Sequence, residues 1–360
     1  MSERETRFGS GWISGVIAAS LGVMGFAAVL CLHFPDILTT PELRAVYPLR
    51  LIRGLIHVSL IAAFLLGITS LILRRNKALG AIGVGFALLA ALSGGSGVEV
   101  SGTVQSPRYI GLDFFLLDLF FLALIFVPIE RLYPLLKEQK VFRAGWWTDL
   151  AYFFSSHLAV QVLTLFTLAP AALFFRWALD SPWQRAIGAQ PAWLQFLEIL
   201  VIADLAEYWI HRLFHVLPFL WRFHQIHHSS TSMDWLAGSR LHLFDVVITR
   251  AFVFAPMYAL GFAPQPLTVY LVFVAFHAVF LHANVRFRFG RLAWIFGTPR
   301  FHHWHHSAEI CDKNFAIHLP VIDWLFGTLY LPGDRWPKTY GIEGNPVPES
   351  FSKQLVYPLK

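Results

Sequence analysis

Charge is scarce in this chain. Of its 360 residues only 14% are Asp, Glu, Lys or Arg, against roughly 25% in an ordinary soluble domain. The shortage is concentrated. Residues 11–34 (GWISGVIAASLGVMGFAAVLCLHF) carry no charged side chain, and neither do residues 54–73, which Arg53 and Arg74-Arg75 bracket. About 20 apolar residues at 1.5 Å rise cross a hydrocarbon core of ~30 Å. A soluble fold is thereby excluded, and the chain reads as an all-α, multi-pass integral membrane bundle. The first run exceeds the ~7–15 residues of a signal-peptide core and is followed by more runs, so it is read as a span. Cysteine is nearly absent. Cys31 and Cys311 stand far apart, which excludes a disulfide framework, a thiolate metal motif and an iron–sulfur cluster. The net charge is +6, but the cations stand between apolar runs, where they set topology. No basic stripe with interleaved aromatics marks a nucleic-acid partner, and no Gly-rich dinucleotide fingerprint or haem-binding domain is visible.

Spans are expected at about 11–34, 54–73, 78–98, 111–130, 148–176, 191–215, 244–262 and 267–288. The last two form a hairpin turned at GFAPQP (261–266), where Gly and Pro break the helix. Residues 99–110 read as a loop, and the polar, proline-rich stretch after 330 as a surface tail. Asp113 and Asp118 fall inside the fourth span. Arg4, Arg7, Arg74, Arg75, Lys77, Arg131, Lys137, Lys140 and Arg143 lie on one side, and Arg44, Arg50, Arg53 and Arg108 on the other. The more basic side is expected to be cytoplasmic. Counting onward, residues 211–215, 224–228 and 302–306 all emerge on that face. Their convergence is a result of the count and no input to it.

Histidine is what this apolar chain has in quantity. Thirteen of sixteen lie between 211 and 318. His211 and His215 are i, i+4 and share a helix face. His224 has partners at His227 and His228, and His302 repeats that spacing with His305 and His306. Neutral imidazole is the commonest protein ligand of first-row metals. One such pair would be ordinary polar decoration at a membrane interface; three motifs in order are not. Eight imidazoles exceed the four that a tetrahedral zinc takes and suit two ions. Zinc also has no redox chemistry to exploit such a site. A zinc peptidase would place Glu after the first histidine, where Arg212 stands. Soluble di-iron bundles use Glu ligands, whereas carboxylates are few here. Neutral ligands leave a strongly cationic centre that favours anionic oxygen species. Glu207, His211 and His215 form one stripe, with Asp204 on nearly the same face. Intramembrane acids are costly and usually functional. Asp204 and Glu207 are expected to accept the far N–H of a ligating imidazole, the alternative being a structural partner for Arg212 or a tyrosine.

These boxes, with ADLAEYWIHRLFH (203–215), HQIHHSS (224–230), LHANV (281–285), TPRFHHWHHS (298–307) and NFAIHLPVIDWLFGT (314–328), resemble those of the fatty acid hydroxylase / sterol desaturase superfamily. The similarity covers roughly residues 115–345. It implies N-terminal transmembrane helices outside the family at 1–110, a catalytic domain at 111–345 and a C-terminal tail at 346–360. It implies a di-iron centre, O₂ as co-substrate, and hydroxylation, ahead of desaturation, of a lipid drawn from the bilayer. Electrons would come from a separate reductase, ferredoxin or pterin-type donor. The family's HxN pattern makes His282 a ninth ligand and lets Asn284 hold a metal-bound water. His242 resembles a histidine present in many relatives, as a ligand or a pocket residue. His303 cannot share the direction of His302. His277 is expected to be a satisfied polar group, Asp323 an orienting or structural one, and His33, His57 and His157 packing residues; no ligand role is supported for His318. Other readings of the same histidines are a non-oxidative metal enzyme, a haem-binding electron-transfer protein and a non-catalytic metal or lipid binder. The boxes do not choose among sterol, fatty acyl, sphingoid, ether-lipid and carotenoid substrates.

Overall fold

The structure, a computed structural model, describes residues 9–40, 43–44, 48–100, 110–158, 181–310 and 312–360. Among them the regular elements are helices, and extended segments meet only in two isolated bridges. The principal helices are α1 (Trp12–His33), α2 (Leu49–Leu73), α3 (Ala78–Leu92), α4 (Leu112–Leu132), α5 (Trp146–Leu158), α6 (Pro182–Gly188), α7 (Ala192–Val216), α8 (Pro218–His228), α9 (Leu243–Leu260), α10 (Pro264–His282), α11 (Pro299–His305), α12 (Pro320–Leu325) and α13 (Phe351–Val356). Six stretches are long and apolar enough to span a bilayer: α1, α2, α3 continued to Gly97, α4, α9 and α10. The pair α6–α7, bent by 111°, would make a seventh. Of the span expected at 148–176, the part beyond α5 lies outside the described residues, as does most of the loop expected at 99–110.

The chain divides into two compact units, Met1–Leu119 and Phe120–Lys360, with the division inside α4. In the first, α1, α2 and α3 pack on small residues. A Cβ on Gly83 would lie 2.7 Å from the backbone of Ala18, and one on Gly22 would lie 2.7 Å from the Gly83 carbonyl. Lipid supplies no hydrophobic drive between helices, so close backbone contact has to supply the packing instead. Asp113 is accounted for locally: its Oδ1 accepts from the backbone N–H and the hydroxyl of Thr40.

In the second unit α7 packs against α8, α9 and α10. Ile199, Ala203, Val253, Met257, Phe262 and Tyr270 form the buried seam. Pro218, at the first position of α8, cannot continue the α7 hydrogen-bond ladder. The break at Leu217 lets the histidine-bearing end of α8 fold back beside that of α7. Pro299 likewise starts α11, behind Thr298, whose hydroxyl caps Phe301 N–H. Helix α10 ends at His282, short of the expected 288. Ala283 leaves helical backbone angles (φ −59°, ψ 142°), and the chain pairs with residues 133–136 instead. Residues 346–360, expected as a tail, are folded in: Val347, Phe351 and Leu355 pack with Tyr152 and Ile226.

Candidate metal centre

Nine histidines from α7, α8, the end of α10 and α11 converge into two groups. His211, His215, His224, His228 and His305 offer nitrogens within 4.8 Å of one another, and so do His227, His282, His302 and His306. Each HxxHH box is divided between them. The i, i+4 pair His224/His228 serves the first group and His227 the second. The pair His302/His306 serves the second and His305 the first. Helices α8 and α11 are thus laced through both groups, while α7 serves only the first and α10 only the second.

The outward ring nitrogens are committed. A carbonyl oxygen only accepts, so the nitrogen facing it carries the hydrogen. His211 Nδ1–H donates to Phe315 O (2.7 Å), His227 to Arg240 O (3.2 Å), His282 to Ala278 O (2.7 Å) and His305 to Lys313 O (2.9 Å). His224 Nδ1–H donates to the Asp245 carboxylate at 2.6 Å. Each of these rings therefore turns a bare Nε2 lone pair inward. His211 Nε2 and His224 Nε2 then face each other at 3.1 Å, and His227 Nε2 and His282 Nε2 at 3.4 Å. Apposed lone pairs repel. Protonation would relieve one contact but put an imidazolium inside a buried imidazole cluster. Burial, followed by the neighbouring imidazoles, holds His224, His227, His228, His302, His305 and His306 well below the usual 6.5. A metal cation satisfies all the inward nitrogens at once. Separations of 3.0–3.4 Å are those of adjacent ligands on one ion with metal–imidazole bonds of about 2.1 Å. His215 Nε2 and His305 Nε2 have no hydrogen-bond partner among the described residues. The donor set is all imidazole, so it fits a first-row transition metal better than calcium or magnesium.

The remaining expected site residues are placed differently. Asp204 does not meet an imidazole. Its carboxylate accepts the backbone N–H groups of Ile317, His318 and Leu319. Asp323, which burial pushes up to about 6, accepts those of Phe315 and Ala316. Together they hold the loop whose Phe315 carbonyl orients His211, so Asp204 acts through backbone. Among the described residues Glu207 makes no hydrogen bond. Asn284 does not point at the centre: its side-chain amide clamps both backbone groups of Leu136 (2.9 and 3.1 Å). His242 belongs to neither group. It caps α9 through Phe244 N–H, and its other nitrogen donates to Leu355 O. His303 is buried and bonds Tyr340 OH at 2.8 Å. His277 donates to Gly297 O and pairs with His318.

Three contributors were not anticipated. Asp245 is the carboxylate on His224; an acid inside an apolar helix was the available signal. Arg240 supplies the carbonyl for His227 and is itself anchored in a buried network with Asp149, Arg143 and Asp234. Gly238 lies against His282: a Cβ there would sit 2.7 Å from His282 Nδ1. No sequence signal separates that glycine from the other 24.

The sequence profile of the fatty acid hydroxylase family matches residues 196–328, which include all nine grouped histidines. The chain is 32% identical over 248 residues to ornithine lipid hydroxylase OlsE of Rhizobium tropici, covering 65% of this chain and 72% of that one. It is 31% identical over 151 residues to alkylglycerol monooxygenase of Xenopus tropicalis, covering 41% of this chain and 31% of the relative. It is 26% identical over 140 residues to methylsterol monooxygenase 1-3 of Arabidopsis thaliana, covering 37% and 47%. The chain thus spans less than half of the latter two relatives. No solved structure matches it. With two buried groups of inward-facing imidazoles on a multi-pass helical frame, the chain belongs to the fatty acid hydroxylase family.

Proposed function

We propose that this protein is a membrane di-iron oxygenase that hydroxylates a C–H bond of a bilayer lipid carrying a polar headgroup. The observation that carries the reading is the apposition of bare Nε2 lone pairs in two adjacent groups. It calls for two cations, and an all-nitrogen donor set suits redox-active iron. His211, His215, His224, His228 and His305 would hold one ion, and His227, His282, His302 and His306 the other. Bound there, iron supplies O₂ activation. In the net reaction one oxygen atom enters the C–H bond and the other leaves as water, with two electrons and two protons from a separate donor of the reductase, ferredoxin or pterin type. The protein's own part is orientation and exclusion. The carbonyls of Phe315, Arg240, Ala278 and Lys313 and the Asp245 carboxylate fix ring tautomers, so no imidazole has to rotate when metal enters. The grouped histidines are buried, which keeps bulk water from the reacting carbon. In this reading the centre lies at the cytoplasmic boundary, as the charge pattern of the loops supports, where an acyl chain can enter sideways from the bilayer. The relatives act on lipids by name, which supports the substrate class. Hydroxylation is favoured over desaturation because the relatives quoted above are a hydroxylase and monooxygenases.

The test is metal analysis of the purified protein with lipid mass spectrometry of cells lacking it. Two irons per chain, and loss of a lipid species one oxygen atom heavier than its precursor, are expected. Stoichiometric zinc with no O₂-dependent product would overturn the assignment.

A further inference from the structure

Where α4 and α10 end, their following segments are stitched together. Leu135 N–H donates to Asn284 O, Arg286 N–H donates to Tyr133 O, and Pro134 bridges Val285. The Asn284 side chain adds its two bonds to Leu136. This stitching begins two residues beyond His282. It encloses a pocket of about 40 Å³ lined by Glu130, Arg131, Lys137, Gln139, Lys140 and Asn284, among others. A cavity needs about 10–15 Å³ per water, so this one holds a few waters or a single oxyanion. The polar floor is spoken for. Glu130 accepts the N–H groups of Trp235 and Asn284, and Gln139 donates to Met233 O. Arg131, Lys137 and Lys140 are exposed, and so are Arg286 and Arg288 on the paired segment. No acidic residue occurs between 284 and 300. Apolar side chains are exposed beside these cations: Leu136, which lines the pocket, is 46% exposed, and Leu132 and Tyr133, next to it in the same segment, are 72% and 57% exposed.

Basic loops after spans serve topology, but topology needs only charge in the loop. It does not need two loops paired backbone to backbone around a pocket. We propose that this basic collar seats the anionic headgroup of a bilayer lipid, a phosphate or carboxylate, while the acyl chains stay in the hydrocarbon beside α4 and α10. The source is a lipid and not a soluble anion, because the mouth lies where two candidate spans leave the bilayer and is edged by exposed Leu and Tyr. Taken with the proposed function, on which this step rests, the seat beside His282 makes an anionic acyl lipid the substrate class.

The full-length protein is purified, and its association with spin-labelled phosphatidylglycerol and phosphatidylcholine is compared, with metal content measured on the same sample. The wild type should prefer phosphatidylglycerol. The preference should fall about fivefold for each lysine removed, as one cation near an anionic surface is worth about that factor, in K137Q and in K137Q/K140Q. Added inorganic phosphate should leave it in place. Equal association of both lipids with the wild type, an undiminished preference in K137Q/K140Q, or displacement by inorganic phosphate would overturn the seat. Should the double variant aggregate, R286Q is the second variant, and the wild-type comparison alone still refutes. Metal-loaded protein without lipid preference counts against this inference only. Lipid preference in protein that binds no iron counts against the proposed function only.

Discussion

Removal of Asp245 should release one metal and leave the other. The Asp245 carboxylate is 4% exposed and accepts the Nδ1–H of His224 at 2.6 Å. Hydrogen bonds to a charged group contribute about 1.5–3 kcal/mol and neutral ones about 0.5–1.5 kcal/mol. Asp245→Asn keeps an acceptor oxygen without the charge, so it should weaken metal binding by about 1–1.5 kcal/mol, roughly tenfold. Asp245→Leu removes the acceptor and leaves a buried N–H unsatisfied, adding about 1–3 kcal/mol. The combined loss is about 2–4.5 kcal/mol, at least roughly 30-fold, and its lower part overlaps the roughly 10–100-fold typical of partners that orient a metal-bound histidine. Because His224 belongs to the five-histidine group, only that ion should become labile. The assay titrates purified protein with a chelator and counts metal per chain, with far-UV circular dichroism as the check on folding. Wild type should lose metal late, Asp245→Leu should drop to about half its metal early, and Asp245→Asn should lie between. Thr249→Val is the control, since Thr249 touches the other carboxylate oxygen at 3.2 Å and should shift the midpoint little. If Asp245→Leu held both ions to the wild-type chelator concentration, the argument that this carboxylate orients His224 would be wrong.

Three further outcomes follow from the same geometry. His305→Ala and His306→Ala sit next to each other but serve different groups, so each should halve metal content, abolish turnover and keep helicity; full activity in either would refute its assignment. Gly238→Ala should displace His282 and lower metal in the four-histidine group while leaving the five-histidine group loaded, read by the same chelator titration, because its Cβ would overlap the His282 ring. Burial pushes His318 down to about 3, against about 6.5 when unfolded. The unfolded chain therefore takes up a proton that the folded one refuses. Stability is full above pH 6.5 and is lost as pH falls toward 3, at about 1.4 kcal/mol per unit. The thermal midpoint of His318→Gln should fall less steeply than wild type between pH 6.5 and 5, and parallel slopes would sink this account.

Composition and local spacing were enough for the class of fold and for eight of the nine grouped histidines. A charge-free run of 24 residues has one stable home, and i, i+4 imidazoles share a face whatever surrounds them. His282 was legible only through its resemblance to a family pattern, because nothing local distinguishes it from His277. Asn284 was read from the same pattern as a holder of water, and the backbone of Leu136, 148 residues away in sequence, claims its side chain instead. Asp204 was rightly singled out as an unusual acid on an apolar helix, but its role depends on the loop 315–319 folding over it. His242 had a plausible neighbourhood and proved to be a helix cap.

The sequence by itself determined that this is a multi-pass helical protein with three histidine boxes suited to two metals, since hydropathy and helical periodicity are properties of short segments. Only the tertiary structure decided how those histidines are shared. His227 parts from His224 and His228, and His305 parts from His302 and His306, so that α8 and α11 each present their middle histidine to the other's group. The orienting partners Phe315 O, Asp245 and Arg240 O are likewise chosen by the packing of other segments, which no local pattern encodes, whereas Ala278 O lies one turn back on the helix of His282 itself.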